Sequence, residues 1–65
     1  MPTIRLTVPR GAWSVGEKQQ IVSTFTQGLA GIAQNSGKGD ITPYINVHIE
    51  ETSEGGYAMG GQVVG

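Results

Sequence analysis

Thr3-Ile4-Arg5-Leu6-Thr7-Val8 alternates without a fault, with Ile4, Leu6 and Val8 on one side and Thr3, Arg5 and Thr7 on the other. A period of two with β-branched residues marks a strand with one buried face. Pro9 has no amide to give to a ladder and Gly11 breaks the run, so the predicted strand stops there. At its other end stands Met1-Pro2. Removal of the methionine would turn the Pro2 nitrogen into a free secondary amine in a fixed ring, so a chemical group is expected at the open end of the strand.

Downstream, Ser14-Val15-Gly16-Glu17 has the S-x-x-E spacing of a capping box, in which hydroxyl and carboxylate each serve the other residue's amide. Ile21, Val22, Phe25, Leu29, Ile32 and Ala33 follow at helical spacing and form one apolar face. Gly28 and Gly31 interrupt that helix, and close packing is the expected reason, since each would otherwise cost about 1 kcal/mol relative to Ala. Asn35 to Gly39 supplies the stop. Residues 44–50 alternate again: Ile45, Val47 and Ile49 face one way, Tyr44, Asn46, His48 and Glu50 the other, with Pro43 at the start of the strand. Strand, helix, strand predicts an α+β chain built on a single β-α-β unit, with parallel strands and a right-handed crossover. The tail from Gly55 to Val64 is too glycine-rich for a helix and is expected to form a short hairpin or arm.

Size sets the next constraint. A chain of 65 residues allows one domain, spanning 1–65, and buries too little surface to be comfortable alone. It has no cysteine and one histidine, His48, so disulfides are excluded and no metal site or cofactor is expected. Oligomerisation is the remaining source of stability. The net charge is −1, and the four cations, Arg5, Arg10, Lys18 and Lys38, are scattered. No basic cluster answers to nucleic acid. No apolar run reaches membrane-spanning length and no signal peptide is visible, so a cytoplasmic location is expected.

Taken together, Met1-Pro2, the first strand, Gly11, a capped helix with Glu17-Lys18, Val47-x-Ile49-x-Glu51 and Gly55-x-Tyr57-x-Met59-Gly60-Gly61 resemble the tautomerase superfamily, in particular its short-chain, 4-oxalocrotonate tautomerase-like branch. The resemblance spans essentially the whole chain. It implies a hexamer made as a trimer of dimers, and an amino-terminal proline acting as general base on a small unsaturated 2-keto or 2-hydroxy carboxylate. Pro2 matches that catalytic proline, and Tyr57 stands at the aromatic position of the family hairpin, where this branch has a phenylalanine. The family's two substrate-binding arginines do not transfer. After the first strand their place is taken by Ala12 or Trp13, which leaves Arg10, two or three residues early, as the candidate anion binder. In the second strand the arginine position is Asn46, as in one subunit type of the heteromeric haloacrylate dehalogenases.

The expected site is therefore Pro2 as base, with Arg10, Asn46 and Tyr57 binding a small anionic carboxylate. Two rivals follow from the missing arginines. A protonated Pro2, with Asn46 and a carboxylate, would hydrate a haloacrylate-type acid. Alternatively, the chain is a non-catalytic subunit of a hetero-hexamer rather than a homo-hexamer.

Overall fold

A computed structural model describes all 65 residues. Strand β1 covers Thr3–Val8, helix α1 Val15–Asn35, strand β2 Asn46–Glu51, and two short strands, β3 (Ala58–Met59) and β4 (Gln62–Val63), close the chain. β1 and β2 pair in parallel, with Thr3 opposite Asn46 and Val8 opposite Glu51. β3 and β4 form a separate antiparallel hairpin, turned at Gly60 and Gly61. Both glycines have positive φ, 58° and 83°, a region open to glycine at little cost.

The alternation of β1 is realised in the burial. Ile4 and Leu6 are half-buried and Val8 is buried, whereas Thr3, Arg5 and Thr7 are exposed. In β2, Val47 and Ile49 share the covered side, and Asn46, His48 and Glu50 the open one. Arg5 and Glu50 meet across that open side at 3.7 Å. The capping box forms as expected. Ser14 Oγ accepts from the Glu17 amide at 3.1 Å, and the Glu17 carboxylate accepts from the Ser14 amide at 2.9 Å.

Two local expectations are corrected. The second strand starts at Asn46, not at 44, because Thr42–Tyr44 is a turn of 3₁₀ helix with Pro43 inside it. Asp40 drives that turn: its carboxylate accepts from both the amide and the hydroxyl of Thr42, at 3.0 and 2.6 Å, a local bond that competes with strand pairing. Close packing at Gly28 and Gly31 is also absent within the chain, since a Cβ at either position would meet nothing within 4 Å.

Very little of the chain is inside. Only Val8 and Ala33 are buried, while Ile32 is 65% exposed and Val15 71%. The radius of gyration is 14.8 Å, against about 11 Å for a compact chain of this length. The accessible surface is 4747 Å², roughly 800 Å² more than a monomer of this mass presents. That excess is about one partner's share of a standard protein–protein interface. No helix is long and apolar enough to cross a membrane.

Candidate active site

Because β1 and β2 are parallel, both strands begin at one end of the sheet and finish at the other. Pro2 lies at the starting end, one residue before β1, and its carbonyl accepts from the Asn46 amide at 3.0 Å. Pro2 and Asn46, from opposite halves of the sequence, are thus brought together. The Asn46 side chain folds back, its Nδ2 donating to the Tyr44 carbonyl at 3.4 Å. Asn46 Oδ1 is left as an acceptor.

Pro2 also lines a cavity of about 430 Å³. Leu29, Ile32 and Ala33 of α1, together with Ile41, form its apolar wall, and Ser36 and Lys38 supply its polar side. Lys38 is there because of how the helix ends. The Gly37 amide donates to Gln34 O at 3.1 Å and the Lys38 amide to Ala33 O at 2.9 Å, the paired bonds of a Schellman motif. Gly37 has φ 78°, as the left-handed residue of that motif requires. The chain is thereby folded back over the last turn, and Lys38 is delivered to the proline end of the sheet.

Lys38 is a cavity-lining residue that is absent from the expected site. The signal was present: Gly37 one residue beyond a helix stop makes Lys38 the residue that turns back over the helix.

Arg10 and Tyr57 lie elsewhere. Six residues of β1 separate the sheet ends by about 20 Å, and Arg10 follows the far end. Within one chain Pro2 lies with Asn46 at one end of the sheet, and Arg10 and Tyr57 lie towards the other. At the far end Glu51 gathers the charges. Its Oε2 accepts from the Gly11 amide at 3.3 Å and its Oε1 meets Lys18 Nζ at 3.0 Å. The Lys18 bond, then the Gly11 amide, with a smaller contribution from the Arg10 charge, hold the Glu51 carboxyl below the usual glutamate range. Half-buried Tyr57 sits in the C-terminal strap, its carbonyl accepting from Val64 and Gly65 amides at 2.8 and 3.3 Å. Gly65 lies so close to Pro9 that a Cβ there would come within 2.7 Å of the Pro9 Cβ.

With Met1 in place the Pro2 nitrogen is an amide and has no basicity. Met1 is 89% exposed. No group of three or more His, Cys, Asp or Glu side chains converges in the chain. Comparison with protein-family models, with curated proteins and with solved structures finds no match.

Proposed function

We propose that the chain is an isomerase of the tautomerase type, in which Pro2, freed of Met1, moves a proton between oxygen and carbon of a small unsaturated 2-hydroxy or 2-keto carboxylate. One observation carries this: the proline lines an aliphatic cavity that holds a single cation, Lys38. In the ketonising direction the Pro2 amine takes the enol proton, and the O–H electron pair becomes the carbonyl π bond. The carbon–carbon π electrons shift and collect the proton that the Pro2 ammonium returns. Nothing is oxidised, and the proline ends as it began.

The surroundings suit that role. An α-amino group titrates near 7.7–8.0 without perturbation, and a secondary amine higher. Apolar walls and a nearby ammonium are surroundings that in general disfavour a charged amine, and a general base works best near neutral pH. Lys38 would bind the substrate carboxylate through a charge-assisted hydrogen bond.

Finer architecture belongs with the same proposal: a right-handed crossover between β1 and β2, and a hexamer assembled as a trimer of dimers, from one chain type or from two. The surplus surface and the two-residue core speak for partner chains. The separation of Arg10 and Tyr57 from Pro2 speaks for neighbours that lend those residues across an interface.

Asn46 favours a second reading, hydration of a haloacrylate-type acid, because its backbone is bonded to Pro2 and its side-chain Oδ1 is free to accept from a water. That reaction needs Pro2 protonated at neutral pH and a carboxylate to activate the water, and no carboxylate lines the cavity. A non-catalytic role in a hetero-hexamer would require a companion chain for any activity.

The test is ketonisation of 2-hydroxymuconate by protein whose intact mass confirms the loss of Met1. Pro2→Ala is expected to lower kcat about 10²–10⁴-fold. Equal turnover by the processed wild type and Pro2→Ala would refute the mechanism, and activity of the wild type alone would refute the non-catalytic role.

A further inference from the structure

Glu51 occupies a position where the alternation of β2 calls for an apolar residue. It continues the side of Val47 and Ile49, opposite Val8, the most buried residue of β1. Its side chain is about one-third exposed, at 35%, and it is divided between two partners. One oxygen meets Lys18 of α1 at 3.0 Å, and the other accepts the Gly11 amide at 3.3 Å. Gly11 has φ 74°, and the turn that contains it is closed by the Ala12 amide donating to Pro9 O at 3.3 Å. Arg10 is the residue between those anchors, with its own side chain exposed.

We propose that Glu51 is a positioning residue for Arg10: its bond to the Gly11 amide fixes the Pro9–Ala12 turn and aims the Arg10 guanidinium at the carboxylate of a substrate bound in a neighbouring chain. This rests on the tautomerase reading, with Arg10 lent across an interface. The ion pair with Lys18 alone would be of small consequence, since exposed pairs contribute little. What distinguishes Glu51 is that the same carboxylate reaches the backbone beside the arginine.

The proposal separates two bonds of one side chain, and so does its test. With assembled, Met1-free protein and 2-hydroxymuconate as probe, Glu51→Ala is expected to raise KM about tenfold and keep kcat within about twofold, the pattern of lost binding without lost chemistry. Glu51→Gln, whose amide oxygen can still accept from Gly11, should recover most of that KM. Lys18→Met, which leaves Glu51 on Gly11, should hold KM within about twofold of wild type. The dimethyl ester, lacking the charge that Arg10 binds, should show no KM change in Glu51→Ala. The proposal is overturned if KM does not move in Glu51→Ala, if Glu51→Gln behaves as Glu51→Ala, or if Lys18→Met raises KM as much. Should Glu51→Ala fail to assemble, the Gln and Met variants still decide between the amide bond and the ion pair. Wild-type turnover in Pro2→Ala would instead remove the tautomerase reading itself. An inactive Pro2→Ala with a neutral Glu51→Ala would remove only the role of Glu51.

Discussion

The two ends of the parallel sheet are formed by the same two strands and yet are chemically unlike. At the Pro2–Asn46 end the helix finishes, and aliphatic side chains line an open cavity that also has one lysine in its lining. At the Val8–Glu51 end the helix begins, and a carboxylate ties together an amide, a lysine and the neighbourhood of an arginine. Parallel pairing imposes the division, because the chain between two parallel strands must leave where the first stops and return to where the second begins. On the proposed reading one end would hold the base, while the other gathers charge. A neighbour's far end set against the proline end would unite the two.

The largest expected effect tests whether one end suffices. If Lys38 alone anchors the substrate, Lys38→Met should raise KM for 2-hydroxymuconate about 10- to 100-fold, the scale of a lost charge-assisted bond, and Arg10→Ala should leave KM alone. If the ends work in pairs, Arg10→Ala should also raise KM. Below the raised KM, mixed assemblies of Pro2→Ala and Arg10→Ala chains would then turn over faster than either variant alone, because some sites receive a wild-type residue from each partner. A titration of one variant into the other, followed by initial rates, separates these outcomes.

A smaller effect is expected where the helix turns back. Gly37 adopts a left-handed backbone at φ 78°, so Gly37→Ala should destabilise the fold by about 1–2 kcal/mol and loosen Lys38. Thermal unfolding measures the first consequence, and KM the second. Gly37→Asn, which tolerates that conformation better, should fall between Gly37→Ala and wild type.

Each end also carries one carboxylate held below its ordinary range. Asp40 is lowered first by the Thr42 hydroxyl and then by the Thr42 amide, Glu51 first by Lys18 and then by the Gly11 amide. A carboxylate whose folded pKa is depressed contributes stability that is complete above its unfolded pKa and disappears as pH falls through the folded value. Both contributions should therefore persist at pH 5 and fade below about pH 4. Unfolding temperatures between pH 5 and 3 should fall less steeply in Asp40→Asn and in Glu51→Gln than in wild type. Equal slopes in all three would mean that neither bond forms in solution.

How far the sequence disclosed this division depends on the range of each interaction. Alternation along Thr3–Val8 and the Ser14–Glu17 box are set by neighbours two or three residues away, and both appear as read. Tyr44 fits the alternation of the strand, but the Asp40 carboxylate holds Thr42 and the segment curls into a 3₁₀ turn. Lys38 could have been found from the Gly37 stop, since the motif fixes where the following residue goes. The resemblance points to Tyr57, and the need for a cation near the missing family arginine points to Arg10. Their distance from Pro2 follows from strand length and parallel pairing, which join residues far apart in sequence and carry no local signal. Glu51 shows the same limit: an acid on an apolar face is visible in the sequence, but its bond to Gly11 spans forty residues.

The smallest effect bears on the contact between chains. Gly28 and Gly31 face open space within one chain, on a helix whose Ile32 is 65% exposed. In an isolated chain, Gly28→Ala should stabilise the helix by about 1 kcal/mol, because alanine loses less backbone freedom and the added methyl meets nothing. If a second chain approaches closely there, the methyl must be accommodated at an interface, where overpacking costs typically 1–3 kcal/mol. The sign of the change thus reports whether this helix face is covered. Unfolding of wild type and Gly28→Ala at two protein concentrations decides it, since only an assembled protein has a concentration-dependent midpoint. Stabilisation that is independent of concentration would leave the helix bare and return the search for partners to the edges of the sheet.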